Sequence, residues 1–521
     1  MTRARGSGPS PSGFFALRTP LLPFDAFESW CAGLASPRAA ETGASLEEAL
    51  QADHALQRRR LRDLVETPAF REALFLASPD LHDSLDAWMS CPEGERGQRV
   101  ERALVKYFAR AAGRATPFGL FAGVSVGRTG GATRLEIEGR ESCGRHSRLD
   151  MDFLFALRDA LARDPARRGG LVFRPNSSLY ESVGRLRYVE SRLKGEERTY
   201  HLVALESSPA LRDTLARAAE GARAAELAAA LVDSEASREE CRAFIDELID
   251  AQVLVPDVGL VVTGGEPTRS MAERLAGGEA AADVAASLVF AEEALGSIDA
   301  GGLGADPSRY REIAARLETL PAKPVLHHLV QVDLVKRSPA AALGDAALGE
   351  IVKGVELARR LHPTARADEL SAFRDAFRER YETREVPLVD VLDEDAGIGF
   401  PAYRSDTDGP SPLLDGLPDP AAGDETTPWG RREKTLLGML GECLAAGAQE
   451  IRLGPKEIEA LAAESPPPLP GAFAVMARIA SAADGGSGFQ VVLESLAGPS
   501  CAGTRSPISA APEPRPGDAS P

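Results

Sequence analysis

Apolar positions early in the chain repeat with the period of a helix. Between residues 46 and 75, Leu50, His54, Leu56, Leu61, Leu64 and Val65 recur at mixed three- and four-residue steps. Pro68 begins a second helix, because proline's fixed φ and missing N–H suit a first helical turn. From Glu101 the same period places Leu104, Tyr107, Phe108 and Ala111 on one face and Arg102, Lys106, Arg110 and Arg114 on another. Pro117 cannot continue that helix, and the glycine-punctuated run from Gly119 to Gly127 reads as a strand. Helices are therefore expected to dominate up to about residue 115.

Beyond residue 179 the period changes. Residues 185–190 and 198–203 alternate like the two arms of a hairpin. Helical stretches follow at 209–219, 222–232 and 237–251, the last opening on Ser237 as N-cap with Glu239 and Glu240 in its first turn, and an apolar strand closes the run at 253–255. That order predicts a winged-helix-like module over 179–262. Its third helix is too acidic to face phosphate, so a peptide rather than DNA is the expected partner. Residues 265–500 alternate Ala-rich helices with strands at 325–335, 450–453 and 489–493, and the stretches 405–428 and 465–471 read as loops. The expected fold class is α+β, mostly helical. Its parts are a disordered leader (1–13), an N-terminal part (14–178), the embedded module (179–262), a remainder (265–500) and a disordered tail (503–521).

Composition narrows the picture. The chain has 521 residues, 44% hydrophobic and 26% charged, which is the balance of a folded protein. No apolar run approaches the roughly 20 residues that cross a bilayer, and no signal-peptide core follows the Gly/Ser/Pro-rich start, so a cytosolic chain is expected. Cys31, Cys91, Cys143, Cys241, Cys443 and Cys501 are scattered without a CxxC, which predicts reduced thiols and no zinc site. His327 and His328 form the sole adjacent histidine pair; on a strand they would point to opposite faces, which argues against a shared metal. Familiar hydrolase, metalloprotease and P-loop motifs are missing.

The net charge of −18 argues at first against a nucleic-acid partner, but its distribution does not. Residues 1–200 hold 30 Lys+Arg against 26 Asp+Glu, leaving 30 against 52 for the rest; residues 101–200 alone hold 19 cations against 12 carboxylates. That basic segment suits phosphate or carboxylate recognition, or a solvated basic surface. Within it Arg110, Arg114 and Thr116 bring two guanidinium groups and a hydroxyl to a helix break, an arrangement fit for a phosphate or a developing oxyanion. The same spacing also suits an ordinary helix end with satisfied carbonyls.

The stretch from Tyr107 to Gly127, with its core R-x-x-x-R-x-T-P-F-G-L-F-A-G, resembles the signature of the N-terminal glutamylation domain of class I lanthipeptide (lantibiotic) dehydratases. Further matching stretches follow in order: Phe15-Ala-Leu-Arg18-Thr-Pro, Arg174-Pro-Asn-Ser-Ser-Leu-Tyr180, Gln331-Val-Asp333-Leu, Val386-Pro-Leu, Leu392 to Pro401, and Gly498-Pro-Ser500. The resemblance implies transfer of glutamate from glutamyl-tRNA to Ser or Thr hydroxyls of a ribosomal precursor peptide, with no cofactor beyond that co-substrate. It implies that Arg18, Arg110, Arg114, Thr116 and Asp333 serve the reaction and that the winged-helix-like module holds the leader peptide by strand addition; the charge excess over residues 101–200 and the cationic stripe make Arg102 and Lys106 the expected tRNA-binding residues. A separate elimination-domain protein and a cyclase are the further partners implied. Two alternatives stand beside it: a ligase that uses aminoacyl-tRNA, and a fragment that only binds leader peptide. After Ser500 the chain departs from the family, which continues through a Leu-Leu-Gly-Arg-Phe-like stretch; Arg505 lies in unlike surroundings and takes no role.

Overall fold

The structure, a computed structural model, describes residues 8–42, 45–182, 184–194, 197–232, 236–261, 263–362, 369–393, 397–400, 429–463, 466–481 and 488–498. Residues 1–7 of the expected leader, the expected tail, the loop 405–428 and Arg505 lie outside the described residues. Two compact units emerge, Pro11–Leu179 with Arg187–Asp345, and Tyr180–Leu186 with Ala346–Cys501.

The first unit is built on the helices the pattern predicts. Leu46–Val65 starts at Ser45, whose side chain accepts from the Glu48 N–H, and Pro68–Ala77 opens on its proline. Glu95–Gly113 buries Leu104, Phe108 and Ala111 against Leu61, Phe70, Trp88 and Phe121. Each fully buried large apolar side chain there contributes about 1.5–3 kcal/mol. The helix ends at Gly113, one residue short of Arg114, which serves as its cap in extended conformation. The following strand starts at Ala122 rather than Gly119; Gly119 adopts φ 51° in the intervening turn, a conformation that disfavours a side chain.

Strand Ala122–Thr129 is the axis of a six-stranded mixed sheet. Phe14–Pro20 lies antiparallel along one edge, while Val330–Val335 pairs parallel to its start and Ala340–Leu343 parallel to its end. Gly144–Leu149 runs antiparallel to Val330–Val335, and Arg134–Glu136 antiparallel to Ala340–Leu343. Close approach explains Gly123: a Cβ there would stand 2.8 Å from Lys336 Cγ and 3.0 Å from the Leu334 carbonyl oxygen. The predicted strand at 325–335 divides into a 3₁₀ turn, Leu326–His328, and the strand proper. His327 and His328 therefore do not alternate across a strand, and their ring centroids stand 4.1 Å apart.

The hairpin at 185–203 is present and longer than expected, Arg185–Lys194 with Glu197–Glu206. Helices Pro209–Ala218, Ala224–Leu231 and Arg238–Asp250 follow, the last opened by a capping box in which Ser237 and Glu240 bond reciprocally. A three-stranded sheet accompanies them, ordered Leu254–Pro256, Val172–Pro175, Ala222–Arg223, and its central strand precedes residue 179.

The second unit contains helices Glu369–Tyr381, Leu388–Leu392, Arg431–Ala445 and Pro455–Leu461, and a hairpin of Ala474–Ser481 with Phe489–Ala497, bulged between Met476 and Ala477. The strand expected at 450–453 is not formed; the segment is irregular and leads into the helix at Pro455. Apolar alternation too short to find a pairing partner explains the difference.

Candidate active site

Alternation in two paired strands builds the site. In Gly144–Leu149 and Val330–Val335, Arg145, Ser147, Leu149, Val332 and Leu334 are buried on one face, leaving His146, Arg148, Gln331 and Asp333 on the other. The second face borders a cavity of about 640 Å³. Arg18 enters from Phe14–Pro20, where it stands opposite Val124, and Thr116 and Phe118 enter from the turn after helix Glu95–Gly113. Residues almost the full length of the unit apart thus converge: Arg18, Thr116 and Asp333 line one space.

Asp333 is held, not loose. Its Oδ2 accepts from Arg148 Nη1 at 2.7 Å, and both side chains are largely shielded. Directly across the register, His146 Nε2 stands 2.8 Å from Glu266 Oε1. The carboxylate approaches off the ring N–H axis, so the contact is an ion contact rather than a linear hydrogen bond. Glu266 is the N-cap residue of helix Pro267–Ala276 but gives no side-chain cap bond; its carboxylate goes to the imidazole instead. That contact raises His146 above the ordinary histidine value against the opposing effect of burial, and in turn holds Glu266 below the usual carboxylate range. Asp150, also on the cavity, caps helix Met151–Arg163 by accepting from the Asp152 N–H at 2.9 Å. His327 and His328 complete the polar lining.

The remaining expected residues lie around the rim. Arg110 places its guanidinium 4.3 Å from the Phe118 ring, a contact of about 0.5–2 kcal/mol, and Phe118 is itself a cavity wall. Burial and the neighbouring Arg114 pull Arg110 below the usual guanidinium value. Its buried Nε has no hydrogen-bond partner among the described residues. Lys106 and Arg102 are exposed along the helix and Arg114 at its extended C-cap, forming the stripe that the four-residue spacing predicts. Sequence reasoning missed His146, Arg148, Glu266, Asp150 and Gln331. Among the described residues no three His, Cys, Asp or Glu side chains are grouped to hold a metal ion, and no helix is long and apolar enough to cross a membrane. The arrangement can take a ligand with both signs of charge, an anionic oxygen near Arg18 and an ammonium near Asp333.

The chain is 23% identical over 353 residues to the subtilin biosynthesis protein SpaB of Bacillus subtilis, covering 66% of this chain and 33% of SpaB. Its fold is similar to that of the tRNA-dependent lantibiotic dehydratase MibB from Microbispora sp. 107891, with TM-score 0.67 and 22% identity over 93% of this chain and 43% of MibB. It is similar also to the TbtB glutamylation domain from thiomuracin biosynthesis, with TM-score 0.54 and 20% identity over 93% of this chain and 69% of that domain. The chain thus spans about a third of SpaB and under half of MibB. Residues 66–505 match the family model for the N terminus of lantibiotic dehydratases, and the chain belongs to that family.

Proposed function

We propose that the first unit transfers glutamate from glutamyl-tRNA to Ser or Thr hydroxyls of a ribosomal precursor peptide. The observation that carries the reading is the convergence of Arg18, Thr116 and Asp333 on one cavity beside the cationic stripe Arg102, Lys106, Arg110 and Arg114. The tRNA acceptor end brings phosphates, an ester and an α-ammonium group. The exposed stripe supplies cations for the phosphates, the unpartnered Nε of Arg110 supplies a buried donor, and the Asp333 carboxylate supplies the counterion for the ammonium. Exchange of one ester for another has little intrinsic driving force, so holding hydroxyl and carbonyl in contact is the main contribution. A cavity of about 640 Å³ accommodates one aminoacyl group with its sugar.

The segment 179–262 is the proposed leader-peptide module. Support comes from its hairpin, three helices and small sheet, and from Leu193, Tyr200 and Leu202, which stand exposed on the hairpin. Exposed apolar side chains on a strand edge favour an added peptide strand. The test is direct: the chain is incubated with precursor peptide and glutamyl-tRNA, and peptide mass is read. A gain of one glutamyl residue is expected. Addition at the peptide C-terminus would instead indicate a ligase, and leader binding without any mass change would leave a binding protein.

A further inference from the structure

Three of the seven histidines of this chain, His146, His327 and His328, line the same cavity as Arg18, Thr116 and Asp333. Resting on the glutamyl-transfer reading, we infer that His146, oriented by Glu266, is the proton acceptor for the attacking peptide hydroxyl. A serine or threonine hydroxyl is a weak nucleophile near neutral pH, so attack on an ester needs a nearby base.

The other titratable groups around the cavity are already engaged or wrong in kind. Arg18 cannot give up its proton. Asp333 is tied to Arg148 at 2.7 Å, and Asp150 is spent on the cap of its helix. His327 and His328 pack ring against ring on a short 3₁₀ turn. Among the described residues His146 alone of the three histidines pairs with a carboxylate. Glu266 is anchored at the start of helix Pro267–Ala276 and faces Nε2. Negative charge at Nε2 keeps the proton there, which leaves the Nδ1 lone pair of the neutral ring to act as base; this is the orienting carboxylate of a nucleophile–base–orienter arrangement.

The step balances within the substrates. The hydroxyl proton passes to Nδ1 as the hydroxyl oxygen bonds to the ester carbon. The bond from that carbon to the ribose oxygen then breaks, and the imidazolium returns the proton to the ribose oxygen. The charged groups around His146 are Arg148 on its own strand, Asp333 across the register and Glu266 at the N-cap of helix Pro267–Ala276, with Arg269 of that helix acting on Glu266 and Asp299 of helix Ala282–Ala300 acting from behind the sheet. Arg148 opposes protonation, while Glu266 and Asp299 favour it.

The experiment is single-turnover glutamyl transfer from glutamyl-tRNA across pH 5–9 with the full chain, its His146→Gln and its Glu266→Gln variants, alongside tRNA affinity. Wild type should show a rate that climbs with pH and levels above the folded pKa of His146. His146→Gln should lose at least about 100-fold and the climbing limb, with tRNA affinity retained. Glu266→Gln should keep a limb displaced to lower pH, because the group that raises His146 is gone. Specifically labelled histidine spectra of the same proteins give a readout independent of turnover: the resonance missing in His146→Gln should titrate in wild type and at lower pH in Glu266→Gln. An active wild type with an unchanged limb in His146→Gln, or a midpoint indifferent to Glu266, overturns the inference alone. A wild type that transfers no glutamate overturns the functional reading, and the inference with it.

Discussion

Arg145 and Ser147 point to one side of strand Gly144–Leu149, His146 and Arg148 to the other, and the two sides treat polar groups in opposite ways. Behind the sheet, Arg145 and Glu72 are completely buried and richly bonded. Glu72 Oε1 accepts from Arg145 and from the Tyr310 hydroxyl, and Oε2 accepts from the Gly304 and Ala305 N–H groups. Asp299 takes Arg145 Nε at 2.9 Å and the Ser147 N–H at 2.7 Å. Burial pushes the Tyr310 phenol far up, so it stays protonated and donates. In front, the ion pairs His146–Glu266 and Arg148–Asp333 border open space. A network satisfied on all sides fixes geometry; one with a side facing a cavity can exchange partners with a ligand.

Variants on the two sides sharpen that contrast. Glu72→Ala should cost the most, about 3–5 kcal/mol in denaturant unfolding, because it leaves a buried guanidinium with Asp299 as its one carboxylate partner among the described residues and strands two backbone donors. Equal stability in this variant would mean that the rear network is not needed to hold the sheet. Asp333→Asn should reverse the balance: at most about 1–2 kcal/mol of stability, but a fall of about 100-fold or more in glutamyl transfer, read from precursor-peptide mass. Charge reversal at Arg102 and Lys106, both exposed, should leave folding untouched and weaken tRNA binding, lowering the slope of log affinity against log salt by about one unit for each phosphate that is no longer neutralised.

The smallest effect is on the pH dependence of stability. His146 lies above its ordinary value of 6.5, so its contribution is whole below that value and is lost as pH rises through the folded pKa. Glu266 lies below its ordinary 4.5, so its contribution is whole above that value and is lost as pH falls through the folded pKa. The pair therefore stabilises most between about pH 4.5 and 6.5. Melting temperatures across pH 4–9 should show that window narrowing to a plateau in His146→Gln.

Much of the helical frame was legible because its signals are local. Ser237 with Glu240, Pro68 after Thr67, and the four-residue spacing of Arg102, Lys106 and Arg110 each act within a turn. Thr116 stands out by its place after the Arg110–Arg114 helix break, Arg18 and Asp333 through the family resemblance alone, and the cavity gathers all three. His146 and Glu266 left no comparable trace, since a pair separated by 120 positions has no period to betray it. One clue was available in Gly-Arg-His-Ser-Arg-Leu: polar residues at consecutive positions of a strand require partners on both faces. The strand at 450–453 failed for the converse reason, an apolar alternation with nothing alongside to complete it.

Strand Ala122–Thr129, flanked by Phe14–Pro20 and by Val330–Val335, also sets a timetable. Its antiparallel neighbour leaves the ribosome before it does, whereas its parallel neighbour follows about 200 residues later, on the order of 10–40 s of synthesis. During that interval the nascent chain displays an unpaired strand edge beside a half-built core. Chains released before residue 335 should accordingly bind holdase chaperones and form inclusion bodies, since neither cavity nor closed sheet exists until the distant segment arrives.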